Sequence, residues 1–305
     1  LANGKVSWQF GGRYSWVGGL IGLGAAIAAA GRSYEDYRPG YPAPQYWDYN
    51  LRVAWTHRSH TLSLTALGSR DTFRITEDKV DRDGDGKWDP SPWEDLPFDP
   101  TRVLDATFHR AQLRWDTDGA VMDQTTRLVL GYDMQSSLLQ GMGNLSNAPE
   151  QAALYRFESR LFHESRVATG GFGTMVLGAE GYVRPVRVED YRDYTGGDIP
   201  ITRDLQGYGA AWTEWQLQAG PLWVSPGIRG SVHAFNEQLH VEPEPRLSLR
   251  YRMSDVVTAT AFVGRFAQMP PPQRYAEGIG NPKLTLTSAW QASAGVEARG
   301  PNGLG

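Results

Sequence analysis

The 305-residue sequence contains no cysteine, little net charge and no long hydrophobic run. Without cysteine, the chain has no disulfide framework, no thiolate metal site and no cysteine nucleophile. Thirty Lys and Arg against thirty-four Asp and Glu give a net charge of −4, which excludes the strongly basic composition of a nucleic-acid-binding protein. The most apolar run, Trp16–Ala30, is too short for a membrane-spanning helix. A soluble all-β protein and a membrane β-barrel both stay open, because barrel strands give no hydropathy peak.

Alternating apolar and polar residues are the main pattern in the sequence. From Tyr46 to His57 the odd positions are aromatic or aliphatic, whereas the even positions include Asp, Asn, Arg and Thr. A period of two places these sets on opposite faces of a β-strand. The alternation recurs along the chain and predicts about twelve strands of roughly ten to thirteen residues, the length that a tilted transmembrane strand needs. The further strands are predicted at 61–71, 107–116, 122–134, 154–164, 171–183, 208–218, 222–234, 246–252, 256–267 and 286–299.

The connections between these strands alternate between short and long. Short turns are predicted at 57–60, 117–120, 166–171, 219–221 and 253–255. Long polar loops are predicted at 17–45, 73–105, 135–153, 184–206, 235–245 and 268–284. Short turns at one rim and long loops at the other are typical of a transmembrane barrel.

The two predicted strand faces differ in chemistry. One carries Arg, Glu and Gln at strand centres, which a water-filled lumen accepts and a dry core does not. The other carries Trp and Tyr near strand ends, as in an aromatic girdle at a membrane interface. A soluble sandwich, or an elongated sheet with one wet face, also explains the alternation. Soluble strands average about five or six residues, however. The pattern therefore favours an all-β fold, an antiparallel transmembrane β-barrel with short periplasmic turns and long extracellular loops.

Short motifs follow one another between Pro243 and Arg299. They are Pro245-Arg246-Leu247, Val263-Gly264-Arg265-Phe266, Pro270-Pro271-Pro272, Gly280-Asn281-Pro282-Lys283-Leu284 and Gly295-Val296-Glu297. In this order and spacing they resemble the late barrel region of TonB-dependent outer-membrane receptors. Gly280, Asn281, Pro282 and Leu284 are the family motif in this chain. Thr285 and Leu286 stand where the family usually has Pro-Glu.

The resemblance implies a location, a function and a set of partners. Residues 1–305 would be a partial β-barrel domain in the outer membrane of a Gram-negative bacterium, about twelve strands of a larger barrel, with the plug domain absent from this chain. Family members take up a scarce ligand of the siderophore, cobalamin or carbohydrate class. The expected partners are outer-membrane lipid, a small-molecule ligand at loops 73–105, 135–153 and 184–206, and a TonB-type energising protein that contacts regions not in this chain. No nucleic-acid partner is expected.

An acidic stretch resembles part of a calcium-binding loop. Asp81, Asp83, Asp85 and Asp89 occupy relative positions 1, 3, 5 and 9, and Gly86 occupies position 6. Carboxylates at this spacing can surround a hard cation, and the glycine permits the tight bend. Position 12 is proline, where the complete motif has glutamate. The sequence therefore predicts either Ca²⁺ bound in loop 81–95 or a solvated acidic loop.

Enzyme motifs are missing from the sequence. The six histidines show no HExxH-like pair, and the chain contains no Gly-x-Ser-x-Gly elbow and no P-loop. We therefore predict no enzymatic activity, no catalytic residues and no cofactor-binding residues. Two alternatives to a receptor stay open: a non-transporting outer-membrane β-barrel scaffold or surface interaction protein, and a soluble calcium-stabilised β protein.

Overall fold

A computed structural model describes residues 5–17, 20–21, 23–24, 27, 37–38, 42–75, 79–80, 102–139, 150–190, 201–276 and 280–298. The strands are β1 (Lys5–Tyr14), β2 (Tyr37–Arg38), β3 (Pro42–His57), β4 (His60–Ile75), β5 (Lys79–Val80), β6 (Arg102–Thr117), β7 (Met122–Leu139), β8 (Glu150–Ala168), β9 (Thr174–Asp190), β10 (Ile201–Ala219), β11 (Leu222–Phe235), β12 (Gln238–Arg252), β13 (Val257–Gln268) and β14 (Thr287–Ala298). Short 3₁₀ turns cover Gly170–Phe172 and Pro272–Arg274. No helix among these residues is long and apolar enough to cross a membrane.

Twelve of the strands form one antiparallel sheet in the order β1-β3-β4-β6-β7-β8-β9-β10-β11-β12-β13-β14. The small strands β2 and β5 pair only with each other in the part of the chain that the structure describes. Within the same part, β1 and β14 each pair with one neighbour, so the sheet is open at both edges. The all-β antiparallel class and the strand number are confirmed. The first strand, β1, was not among the strands predicted individually.

The strand register separates an apolar face from a polar face. Leu64 lies opposite Leu113, Leu113 opposite Leu128 and Leu128 opposite Leu161, which forms an apolar row across four strands. These four leucines are 44–57% exposed. The intervening residues of the same strands, Arg160 among them, lie on the polar face. Because the side-chain period is two, a slip of one residue would move all of these leucines to the polar face.

The predicted loop at 235–245 is wrong, because β11 and β12 form a tight hairpin there. Its turn consists of Asn236 and Glu237, which both have positive φ, at 48° and 61°. Pro243 and Pro245 lie within β12, where the strand pairs with β11 but not with β13. A proline is accepted at such an edge because its missing N–H removes no ladder bond. The Arg265 side chain donates instead to the Pro243 carbonyl, at 2.9 Å.

The long connections predicted at 73–105, 135–153 and 184–206 are shorter than predicted because the strands extend into them. The strand β4 reaches Ile75 and β6 begins at Arg102, while β8 begins at Glu150 and β9 reaches Asp190. The sheet strands therefore contain 10 to 19 residues. Since the predicted short turns are confirmed, this additional length lies at the opposite rim, which we call the loop end; the rim with the short turns is the turn end.

A small apolar core lies against the polar face near the loop end. It consists of Leu154, Val186, Val188 and Ala276. The three strand residues come from β8 and β9, whereas Ala276 follows the Pro272–Arg274 turn. The segment after β13 is therefore folded back onto the sheet, and this packing positions the site described next.

Candidate functional site on the polar face

Charged and aromatic side chains meet on the polar face of β8 to β11. We call them the polar-face network; its members are Glu158, Arg160, Glu180, Tyr182, Arg184, Tyr208 and Arg229. They lie on the polar face because the period of two, which places Leu161 on the apolar face of β8, places these residues on the opposite face.

Ion pairs hold the network together. Arg184 donates from Nε to Glu158 Oε2 at 2.9 Å and from Nη1 to Gln206 Oε1 at 3.2 Å. Arg160 also pairs with Glu158, at 3.1 Å. Arg229 contacts both Glu180 and the Tyr208 hydroxyl. The Arg184–Glu158 and Arg229–Glu180 pairs are only 12–19% exposed, so they fix the side chains in place more firmly than surface pairs would.

Aromatic rings are layered between the arginines. Tyr182 and Tyr208 stack with centroids 5.0 Å apart, and the Arg184 guanidinium lies 4.4 Å from the Tyr182 centroid. Arg229 lies 4.9 Å from the ring of Trp212. That indole rests on Gly178, where an added Cβ would come within 2.1 Å of the ring. Such layers present both cationic and π surfaces to a bound molecule.

A recess of about 390 Å³ opens beside the network. Its walls include Arg156, Arg160, Arg184 and Glu180, together with Tyr182 and Tyr208, and the segment Ala267–Pro272. Three arginines against one glutamate give these charged walls an excess of positive charge. The arrangement is suited to an anionic ligand with aromatic or planar groups.

A strap formed by residues 272–276 and 280–284 covers part of the polar face. Its anchor is Tyr275, which is 1% exposed. The Tyr275 hydroxyl accepts a hydrogen bond from Gln206 Nε2 at 2.7 Å and donates one to Asp204 Oδ2 at 2.6 Å. Burial, reinforced by the bond to Asp204, raises the pKa of Tyr275 above its ordinary value. The side chain is therefore neutral at physiological pH and acts as a hydrogen-bonding anchor.

The structure places the family motif Gly280, Asn281, Pro282 and Leu284 within this strap. The Asn281 N–H donates to the Arg274 carbonyl at 2.8 Å, and the Leu284 N–H donates to the Asn281 carbonyl at 3.0 Å. A Cβ on Gly280 would lie 2.2 Å from the Arg274 carbonyl oxygen, so this close approach requires glycine. Outside the strap, Asn236 Nδ2 donates to the Pro282 carbonyl at 2.6 Å. The motif thus joins the strap to the β11–β12 turn.

Other predicted site residues lie outside the described residues. These are the acidic positions Asp81, Asp83, Asp85 and Asp89 of the predicted calcium loop. The central parts of the predicted ligand-binding loops, 81–101, 140–149 and 191–200, lie outside them as well. Within the described ranges, no group of three or more His, Asp or Glu side chains is arranged to hold a metal ion.

Aromatic residues border the apolar face at both ends, as predicted. Trp55 and Trp115 lie near the turn end, whereas Trp47, Tyr49 and Tyr132 lie near the loop end. Trp47 and Tyr49 stack with centroids 6.1 Å apart. Along β3, Trp47 and Trp55 are separated by roughly 27 Å at the usual rise per residue. Once the strand is tilted, this span matches the apolar band of a transmembrane barrel.

Comparisons with known proteins identify similar structures, although no protein-family model and no curated protein matches the sequence. The siderophore receptor PirA from Acinetobacter baumannii matches with a TM-score of 0.64 at 13% identity, over 97% of this chain and 46% of that one. The copper transporter OprC matches with a TM-score of 0.64 at 12% identity, over 98% and 47%. The chain shares the fold of these proteins.

A ferric enterobactin receptor of Pseudomonas aeruginosa (PfeA), solved in complex with enterobactin, matches equally well. Its TM-score is 0.64 at 13% identity, over 99% of this chain and 47% of that one. The predicted resemblance to the barrel of TonB-dependent receptors is therefore confirmed at the level of the fold. The chain spans about half the length of the structures that it matches.

Sequence reasoning missed the anchor of the strap. Tyr275, Gln206 and Asp204 are distant in the sequence, and no spacing rule connects them. The signal that was available is the Pro270-Pro271-Pro272 run before Tyr275, because prolines there end β13 and direct the chain out of the sheet.

Proposed function

We propose that the chain is part of an outer-membrane β-barrel of a Gram-negative bacterium that takes up a scarce ligand. The observation that carries the proposal is the sheet of twelve antiparallel strands with one apolar and one polar face, whose fold matches receptor and transporter structures along nearly its whole length. The apolar face, with its aromatic borders, contacts lipid. The polar face lines the water-filled interior.

The open edges support a partial barrel domain. Exposed β1 and β14 carry large apolar side chains, among them Trp8 and Trp290 at 76% and 67% exposure. An unpaired edge in lipid leaves backbone N–H and C=O groups without partners, at a cost of several kcal/mol for each group. Further strands, outside the residues described, would pair with these edges and close the barrel. The plug domain and the segment that contacts a TonB-type energising protein would likewise belong to regions outside this chain.

The charge of the recess favours one ligand class among those that the family resemblance implies. Its arginines and stacked tyrosines suit an anionic metal chelate such as a ferric siderophore, because guanidinium groups pair with oxyanions and stack on planar rings. A neutral carbohydrate would offer no negative charge to complement the excess positive charge of the recess walls. The proposed role is therefore binding and energised uptake of a siderophore-class ligand, without enzymatic chemistry.

An uptake assay in the bacterium that carries the gene tests this function. The probes are labelled ferric enterobactin, cyanocobalamin and a maltodextrin, applied to wild-type cells, to deletion cells and to cells with Arg184→Gln. The variant should bind ferric enterobactin at least about tenfold more weakly, since a hydrogen bond to a charged group contributes roughly 1.5–3 kcal/mol. Arg13→Gln, at an exposed site on β1, is the matched control and should behave like the wild type.

Other outcomes would assign the protein differently. Preferential loss of cyanocobalamin or maltodextrin uptake on deletion would replace the siderophore class by that ligand. Unchanged uptake of all three probes, with the protein in the outer-membrane fraction, would support the non-transporting scaffold. Recovery of the protein only in soluble fractions would refute the membrane barrel.

A further inference from the structure

Two histidines face each other across the β11–β12 hairpin. His233 of β11 is the direct partner of His240 of β12, and both side chains lie on the polar face. Directly opposed residues on antiparallel strands have Cβ atoms about 5 Å apart. The pair lies close to the rigid two-residue turn at Asn236 and Glu237. The backbone therefore fixes the spacing of the two Cβ atoms.

Hydrogen bonds set the tautomer of His233. The Ser231 hydroxyl donates its single hydrogen to Glu244 Oε1 at 2.6 Å. Ser231 Oγ lies 2.9 Å from His233 Nε2, so this oxygen must accept a hydrogen from that nitrogen. In the neutral ring, Nδ1 then carries a lone pair. His233 is 3% exposed, and its Nδ1 has no hydrogen-bond partner among the described residues.

The second ring also has an unused nitrogen. His240 Nε2 is buried and has no hydrogen-bond partner in the described part of the chain. The ring is held by stacking on Phe235, with centroids 5.2 Å apart, and Phe235 in turn packs against Tyr275. Buried polar atoms without partners are rare, because each carries a desolvation cost of about 1–3 kcal/mol. Two of them on directly opposed side chains require an explanation.

We propose that His233 and His240 bind one borderline divalent transition-metal ion, Cu²⁺ or Zn²⁺. Imidazole nitrogens are preferred ligands of both ions, with metal–nitrogen distances of about 2.0–2.1 Å for zinc. The hydrogen bonds that run from His233 through Ser231 to Glu244 form the kind of arrangement that orients a ligating imidazole and increases its basicity. His233 also lines the recess beside the polar-face network. The remaining coordination positions are therefore open to water or to donor atoms of a molecule in the recess.

A second opposed pair, His57 and His60, differs in its surroundings. These residues flank the β3–β4 turn on the apolar face. Their rings lie beside Trp55 and Trp115, with centroids 5.8 Å and 6.1 Å apart. His60 is exposed, unlike His233. His57 Nδ1 also lacks a hydrogen-bond partner among the described residues, but its opposed partner His60 is exposed. We therefore assign the site to His233 and His240 and disrupt the second pair with His60→Gln in the experiment.

Metal titration of the full chain in detergent micelles tests the site. The background variant is His60→Gln, and Cu²⁺ and Zn²⁺ are each titrated by calorimetry. We expect one equivalent of metal to bind, and His233→Gln and His240→Gln each to weaken its binding at least about tenfold. Ser231→Ala removes only the orienting partner and should weaken binding by about 10–100-fold. His163→Gln is the matched control, because both ring nitrogens of His163 have partners, Thr126 at 2.9 Å and Ser165 at 3.1 Å.

Spectroscopy of the Cu²⁺ complex supplies a measurement that does not depend on the folding of the His233 and His240 variants. Electron paramagnetic resonance of the His60→Gln chain should show hyperfine coupling to two imidazole nitrogens. The proposal is overturned if this chain binds neither ion saturably, if the spectrum lacks imidazole coupling, or if His240→Gln binds as tightly as His163→Gln. Because the assay contains no siderophore and no cells, its result is independent of the transport function proposed above.

Discussion

Tyr275 connects the strap to the sheet through a single hydroxyl. That oxygen bridges Gln206, which is 1% exposed, and Asp204, while the ring packs on Phe235. Asp204 also accepts a hydrogen bond from the Asn236 N–H, at 3.1 Å. One side chain thus couples β10, the β11–β12 turn and the segment after β13.

Removing this hydroxyl tests its contribution to stability. Tyr275→Phe keeps the ring packing but takes a partner from buried Gln206 and from Asp204, so the free energy of unfolding should fall by about 1–3 kcal/mol. Urea unfolding of the refolded chain, followed by tryptophan fluorescence, measures the change. Tyr14→Phe on the exposed edge strand is the control, since Tyr14 is 64% exposed. Equal losses in the two variants would show that the bridge contributes nothing.

The turn of the β11–β12 hairpin departs from the residue preference of its turn type. Two-residue turns with positive φ at both positions favour Asn-Gly, whereas this turn is Asn236-Glu237. A left-handed conformation costs a side-chain-bearing residue roughly 1–2 kcal/mol, and glycine avoids that cost. The hairpin forms nevertheless because the pairing of β11 with β12 extends through fourteen residue pairs, from Leu222 opposite Tyr251 to Phe235 opposite Gln238.

Two substitutions of Glu237 should change the stability of the fold in opposite directions. Glu237→Gly relieves the left-handed strain and should stabilise the fold by about 0.5–1 kcal/mol after the entropic cost of glycine. Glu237→Val places a β-branched residue at positive φ and should destabilise it by at least about 1 kcal/mol. The temperature at which the folded band is lost on gel electrophoresis orders the variants. A valine variant as stable as the glycine variant would contradict the turn geometry.

The strands could be predicted from the sequence because their period of two is a local property. Leu128 and Leu161 lie on the predicted face, and their pairing follows from the strand order. The hairpin at 235–245 could not be predicted, because prolines within a strand are acceptable only at an edge, and edges depend on neighbours. The arginine and glutamate side chains of the polar-face network could be expected on the polar face, but which of them pair with each other depends on the strand register. The Tyr275 anchor and the His233–His240 pair depend on contacts that no local pattern contains.

At the scale of the whole molecule, an arginine introduced on the apolar face of the sheet should lower the free energy of unfolding more than one introduced on the polar face. Leu128 and Val129 are neighbours on β7; Leu128 lies in the apolar row, and Val129 lies on the polar face opposite Gln112 and Arg160. In a lipid bilayer, Leu128→Arg should lower the free energy of unfolding by about 2–4 kcal/mol. Val129→Arg should cost less, because water reaches the polar face. Equal costs, measured by unfolding from phospholipid vesicles, would contradict the assignment of the lipid-facing surface.

The unequal strand lengths make the loop end of the sheet uneven. The edge strand β1 ends at Tyr14, level with Trp47 at the loop-end aromatic border, whereas β8 continues past Tyr155 to Glu150. Tyr155 lies level with Tyr14 across the paired strands, so β8 extends five residues farther at the loop end, roughly 17 Å along the strand. The central strands therefore extend farther than the edge strand β1 at the loop end. A molecule that approaches the loop end of this sheet would therefore meet the ends of the central strands before it reaches the polar face.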